Sequence, residues 1–408
     1  MPGQPDGLES RMTDDESYAQ GAPYELWRTL RRTRPVSWQQ TSEGQGHWAV
    51  VTHSLGARVL REWQSFTVTR GTFLRPDLTL PFPGSGKMPA LTDPPRHTVL
   101  RRAAAGLFTP RATAAFEERA REVVAPLVRA AVGAGECEFI RDIAGRVPLA
   151  ISGDLLGISA DEAATMSQIA DRLEHYVSDV DSPVAQGSHV ELLMYYDDLL
   201  AQRRHAPGKD LVSTLLAAQA AGAEISDEEI VLICDNVIAA ASDTTKYAAG
   251  NAIVTLLEQP DSLAQLRTGS VDIADAVEEL VRWDPPLNYL LRTAVTDVEL
   301  AGAMVRSGEA LTVWIPSANR DETVFDDPDT LRLDRRPNPH LGYGVGVHHC
   351  LGAPMARLIL RALLTELMVS VGDFRLAGPT RRLASCVFGG YTEVPLTLRA
   401  ASPPSHFS

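Results

Sequence analysis

The sequence predicts a mainly α-helical protein with small peripheral β-sheets, arranged around one long central helix. Three observations predict it. Apolar residues recur at helical spacing through most of the 408 residues. One such stretch, opened by Ser226 and closed before Pro260, spans roughly 50 Å at ~1.5 Å per residue. β-like alternation is confined to short pieces, and no low-complexity linker or internal repeat divides the chain.

The elements follow in order. Residues 1–20 are polar, lack the apolar run of a signal peptide, and are expected to form a flexible arm. Trp48–Val51 reads as a strand. Arg70–Thr92 is a Pro- and Gly-rich loop, long enough to suggest a functional role. Ala112–Ala134 reads as a helix that Pro126 should kink or divide. Val190–Arg204 and Leu211–Ala221 also read as helices. Ser226 and Glu229 form a capping box, and acids at 227 and 228 suit the positive helix end. The long helix then runs to Glu258. Its middle, AAASDTT, is odd: small residues followed by an acid and two hydroxyls run against helix propensity. Leu291–Val295, Ala310–Ile315 and Val394–Leu398 are β-like, and Ala318–Leu341 is a long charged, Pro-punctuated segment.

Composition sets limits. Hydrophobic residues make up 44% and charged residues 22%, as in ordinary globular chains. A net charge of −14 disfavours nucleic acid and anionic lipid as partners. No run approaches the ~20 apolar residues a membrane helix needs, so a cytoplasmic protein is expected. The four cysteines, Cys137, Cys234, Cys350 and Cys386, are dispersed and form no disulfide framework by spacing. Most should be small buried hydrophobes.

Cys350 stands apart. It ends GYGVGVHHC, where Gly342, Gly344 and Gly346 permit a tight path and close approach of a flat ligand. A helix starts behind it, which predicts a depressed thiol pKa. A thiolate is a soft ligand suited to haem iron. Two plainer alternatives are a buried cysteine in a glycine turn and a zinc site from His348, His349 and Cys350. Zinc would need about four ligands, and no second cluster is nearby.

The stretch resembles the haem-ligand loop of the cytochrome P450 family, aromatic-G-x-G-x-H-x-C-x-G, met by Tyr343, Gly344, Gly346, His348, Cys350 and Gly352. Tyr343 replaces the usual Phe and adds a hydroxyl that needs a partner. Glu279 and Arg282 match the family's E-x-x-R pair, with Arg320 or Arg335 as the third member. His97 and Arg101 lie four apart on a helix. With Arg292 and His348 they match the family's partners of the haem propionates. Ala240, Ala241, Ser242, Asp243 and Thr244 match A-G-x-D/E-T, with Ala241 for the usual Gly. That methyl should narrow the space beside the helix or shift its kink. Asp243 and Thr244 resemble the family's proton-delivering acid–alcohol pair. The resemblance covers residues 21–400, implying one catalytic domain of the P450 fold with the long helix crossing the haem, and a flexible tail over 401–408.

The resemblance implies a haem b monooxygenase that hydroxylates or epoxidises an organic substrate. No flavin or nicotinamide fingerprint is present, so electrons are expected from NAD(P)H through an external ferredoxin and its reductase. Their docking face would include Arg101, Arg102, Arg357 and Arg361. A monomer is expected. Substrate contacts are expected from Phe73–Leu91, Arg172–Tyr176, Ile238, Ala239, Ser242, Leu287–Leu291 (with Asn288 and Leu290) and Val387–Tyr391 (with Phe388). Their mixed apolar character suits a medium-sized secondary metabolite, free or carried on a protein. Coupling or dehydrogenation on the same fold, and non-catalytic haem binding, are the alternatives. Asp243 and Thr244 argue against the last of these and against peroxide-driven chemistry.

Overall fold

The computed structural model describes residues 12–41, 46–75, 79, 81–171 and 183–401. Its longest helix runs from Asp227 to Glu258. The Ser226 side chain accepts from the Glu229 amide, and the Glu229 side chain accepts from the Ser226 amide. This reciprocal cap satisfies two amides that a helix start otherwise leaves open.

The long helix belongs to two cores. Its first half carries Ile230, Ile233, Cys234 and Ile238 into an apolar cluster with helices Arg96–Ala105, Pro183–His205 and Leu211–Ala220. Its second half carries Ala248, Ala252, Ile253 and Leu256 into a larger cluster. Helices Pro110–Ala134, Ile273–Trp283 and Ala353–Ser370 complete that cluster. Between the two halves Ala239 and Ala240 are exposed. A mid-helix gap in packing, flanked by buried turns, marks where the helix meets open space.

A five-stranded sheet lies to one side, in the order Val36–Gln40, Gly46–Val50, Ala310–Trp314, Tyr289–Ala294, Phe66–Thr67. Trp48 pairs parallel with Leu311, and Leu290 pairs antiparallel with Val313. Ala310–Trp314 is buried throughout, which explains its nearly continuous apolar run. Glu136–Glu138, Pro395–Ala400 and Val371–Leu376 form a second sheet. Val36–Gln40, Val371–Leu376 and the pair Val298–Leu300/Ala303–Val305 carry too little alternation to have been read from sequence.

Two expectations change. Pro126 does not divide its helix, which runs unbroken from Pro110 to Ala134. Ala120, Val124, Val128 and Ala131, on both sides of Pro126 in the sequence, are buried in one core and hold the helix across the missing N–H. The arm expected over residues 1–20 is docked from Met12 onward: Met12 and Tyr18 are buried, and the Tyr18 hydroxyl donates to the Met12 carbonyl at 2.9 Å. Asp15 accepts from the Cys386 amide at 2.6 Å. Two large apolar side chains and one carboxylate are enough to hold this otherwise polar segment. Residues 172–176 and 402–408 lie outside the described residues. No single helix among the described residues is long and apolar enough to cross a membrane.

Candidate active site

A cavity of about 1670 Å³ opens against the gap in the long helix. Ordinary small-molecule sites occupy roughly 300–1,000 Å³, so this one has room for a flat prosthetic group and a second molecule. Ala239, Ala240 and Thr244 of the long helix and Tyr343, Gly344 and Cys350 of the glycine loop all contribute to its wall.

The loop reaches the wall through left-handed backbone at Gly344 (φ 66°) and Gly346 (φ 81°). A Cβ at Gly346 would stand 3.0 Å from both the Leu60 carbonyl oxygen and Arg61 Cα. The Cys350 amide donates to the Tyr343 carbonyl at 2.8 Å and closes the loop. The helix Ala353–Ser370 starts just beyond, after Gly352. Cys350 lines the cavity, and its exposed surface lies within that recess, where the surrounding protein still desolvates the thiol.

Its thiol corrects one expectation. The pKa is raised rather than depressed, because desolvation outweighs every lowering influence. Those influences are present: the Gly352 amide, Arg101, the Ala353 amide and Arg357. A metal cation at the sulfur would reverse the balance, since a coordinating thiol is deprotonated outright.

Beside the loop, proton donors crowd together with few acceptors. The rings of His97 and His348 lie 4.3 Å apart. His348 Nε2 is buried with no hydrogen-bond partner among the described residues, and the nearest carboxylate oxygen, Asp93 Oδ1, is 4.0 Å away. Arg292 is buried and donates to the adjacent Leu291 carbonyl at 2.7 Å. Arg101 donates to the His349 carbonyl at 2.6 Å. Burial, then Arg292, His97 and Arg101, push the His348 pKa down to about 2. Burial and Arg101 push His97 down to about 4, and burial pushes Arg292 down to about 10. Four donors starved of anions fit the carboxylates of a bound prosthetic group. The cluster and the cysteine together fit haem.

The Tyr343 hydroxyl is buried and has no partner among the described residues. The Arg357 guanidinium instead lies 4.2 Å from the ring centroid. Arg357 also makes a two-pronged pair with Glu278, at 2.7 and 2.8 Å.

On the long helix, Thr244 Oγ1 donates to the Ala240 carbonyl at 2.8 Å and Ser242 Oγ to the Ile238 carbonyl at 3.1 Å. Both hydroxyls are folded back onto the helix, a known habit of mid-helix Ser and Thr. Asp243 Oδ1 is 2.9 Å from Lys246 Nζ. That partner went unread in the sequence, although an acid and a lysine three apart on a helix are the ordinary signal for a pair. Ala241 is not among the residues that line the cavity; its neighbours Ala240 and Ser242 are. The Ala241 methyl therefore does not contribute to the cavity wall.

Glu279 and Arg282 are both fully buried, which excludes a solvated surface pair. Arg282 grips Glu279 with two bonds of 2.7 Å. The third member is Arg335, whose Nε is 3.2 and 3.1 Å from the two carboxylate oxygens. Arg320 instead stacks 4.0 Å from the Tyr24 and Trp283 rings.

Among the expected substrate contacts, Phe73, Ile238, Ala239, Ser242, Leu290 and Phe388 line the cavity. Leu91 and Asn288 do not. Leu91 is buried away from it, at 4% exposure. Asn288 is held by the fold: its Nδ2 donates to the Ser385 carbonyl at 3.3 Å, and its backbone carbonyl accepts from the Ile315 amide at 2.9 Å.

Comparison with known proteins agrees with this geometry. The family model described as Cytochrome P450 matches residues 273–371. A steroid C26-monooxygenase of Mycolicibacterium smegmatis is 30% identical over 392 residues, covering 95% of each chain. The crystal structure of P450 OxyD, involved in the biosynthesis of vancomycin-type antibiotics, superposes with a TM-score of 0.86 at 30% identity. It covers 95% of this chain and 99% of that one. P450BioI, in complex with an acyl carrier protein ligated to hexadec-9Z-enoic acid, gives 0.85 at 25% identity, over 95% of this chain and 100% of that one. The chain belongs to the cytochrome P450 family. It is a monooxygenase of that family, which is a family of haem proteins.

Proposed function

We propose that this monooxygenase holds haem b through the Cys350 thiolate, with His97, Arg101, Arg292 and His348 on its propionates. The observation that carries this is the placement of an anion-starved donor cluster beside a loop cysteine on one large cavity. When bound, the haem supplies the iron at which dioxygen is reduced and its O–O bond broken. Tyr343 and Gly344 line the cavity beside Cys350, and with Gly352 they would let the loop approach the group closely. Asp243 takes protons from the solvent side at its carboxylate, and Thr244 passes them on at Oγ1 once it leaves the Ala240 carbonyl. Phe73, Ile238, Ala239, Leu290 and Phe388 supply an apolar wall that orients the substrate and excludes water, with Ser242 as a polar point.

The reaction is hydroxylation or epoxidation of a medium-sized organic substrate, and the likeness to OxyD supports a place in secondary metabolism. Electrons come from NAD(P)H through a ferredoxin and its reductase, in the cytoplasm, to a monomer. Arg357 is paired with Glu278 and Arg101 is assigned to a propionate, so a basic docking face near Cys350 rests on Arg102 and Arg361.

The test is the spectrum of the reduced, CO-bound protein. Wild type should give the red-shifted band of a thiolate-ligated haem, and Cys350→Ala should lose it. Identical spectra would sink the assignment.

A carrier-bound substrate is a second reading, supported by the complex of P450BioI with its acyl carrier protein. Titration of the ferric protein with free compounds and their carrier-linked forms separates the two. Blue shifts of the Soret band with free compounds alone would exclude the carrier.

A further inference from the structure

The cavity has a polar end that the haem reading leaves unused. Asp235 stands on the long helix eight residues before Asp243, about 12 Å along the axis. It is 6% exposed and lines the cavity, whose wall also includes Leu192, Leu193, Tyr196 and Leu232. A carboxylate in such surroundings is costly unless its lone pairs are used. Among the described residues one hydrogen bond is given to it: His189 Nε2 is 3.2 Å from Oδ2. His189 comes from the helix Pro183–His205 and lines the same cavity. The carboxylate raises the pKa of His189.

Two other polar groups on the cavity wall are engaged elsewhere. Glu228 pairs with Lys87 at 2.7 Å, and Asn236 Oδ1 accepts from the Ala90 amide at 3.2 Å. A carboxylate offers about four lone-pair sites, so Asp235 keeps acceptor capacity at the cavity wall. Had the pair only stapled two helices together, two apolar residues of similar volume would have done so at least as well.

We propose that Asp235 is a specificity-determining residue that binds a hydrogen-bond donor of the substrate, an ammonium or a hydroxyl, at the end remote from the oxidised carbon. His189 positions the carboxylate. The substrate class is thus an elongated, mainly apolar molecule with a donor group remote from its site of oxidation. The proposal rests on the haem reading for the position of the oxidised carbon and for the optical signal.

The test uses the haem-loaded protein and three probes of matched length: decylamine, decanol and decanoate. Wild type should bind decylamine and decanol at least about tenfold more tightly than decanoate, the usual worth of a bond to a charged group. Both should give a blue shift of the Soret band. Asp235→Asn should bring decylamine and decanoate within about threefold of each other. His189→Gln, which keeps a donor to the carboxylate, should retain the preference. Absence of a preference in wild type overturns the proposal, as does an unchanged preference in Asp235→Asn. A red shift with decylamine also overturns it, because the amine would then sit on the iron. A wild-type protein that gives no thiolate-type CO band refutes the haem reading instead, so the two failures are separable.

Discussion

Lys246 Nζ lies 2.9 Å from Asp243 Oδ1, one helical turn on, and 4.9 Å from the centroid of the Tyr247 ring. Asp243 is therefore not a loose carboxylate on the cavity wall; an ammonium on the same helix fixes its position. In the proposed chemistry Asp243 carries protons toward Thr244, so Asp243→Asn should lower product formation about 10²-fold. Lys246→Met should lower product per NAD(P)H consumed by about two- to fivefold, the worth of a partly exposed pair, with the difference released as peroxide. Lys246→Arg should retain coupling. Parallel assays of NAD(P)H, peroxide and product check this. Full coupling in Lys246→Met would remove Lys246 from the proton route.

Glu279 holds the lower core together. It accepts from Arg282, Arg335, the Arg332 amide at 2.9 Å and Asn338 Nδ2 at 3.2 Å, all with no exposure of its own. Glu279→Ala leaves two buried guanidiniums without their anion, and breaking such a pair costs about 3–5 kcal/mol. Thermal melting of the variant should show that loss. A surface-type loss below about 1 kcal/mol would mean that the pair is solvated in solution.

Tyr343 offers the opposite sign. Its hydroxyl is buried without a partner among the described residues, and burial pushes its pKa up. An unpaired buried hydroxyl costs about 1–3 kcal/mol. Tyr343→Phe should therefore stabilise the chain by about 1 kcal/mol while leaving the Arg357–Glu278 pair intact. Denaturant unfolding measures it. A destabilised Tyr343→Phe would show that the hydroxyl has a partner in solution.

Elements with strong local codes were legible in the sequence. The long helix announced itself through its capping box, and the packing gap at Ala239 and Ala240 through its small residues. Glu279 and Arg282 were legible as a pair because three residues on a helix fix their separation. Arg335 could not be chosen over Arg320, because both lie in an irregular segment whose path depends on tertiary contacts. The thiol of Cys350 was misjudged for a related reason: a helix start is local, whereas desolvation is set by the whole surrounding fold. Asp235 and His189 were not seen at all, since they sit on different helices 46 residues apart.

His97 should make the haem-free chain sensitive to acid. Burial first, then Arg101, lowers its pKa from 6.5 to about 4, with Asp93 opposing and the His348 ring alongside. In the unfolded chain the ring titrates near its ordinary value. Between pH 6.5 and about 4 the unfolded state thus binds a proton that the folded state does not. By linkage, stability is complete above pH 6.5 and is lost as pH falls through that window, by on the order of 3 kcal/mol for this one group. Propionates accepting from His97, Arg101 and Arg292 would favour the protonated ring and shrink the loss. Melting temperatures of the haem-free and haem-loaded chain across this range provide the measurement, with His97→Gln isolating the share of this ring. The slope should be steep without haem, shallower with it, and reduced in haem-free His97→Gln. If haem leaves the slope unchanged, His97 does not meet a propionate.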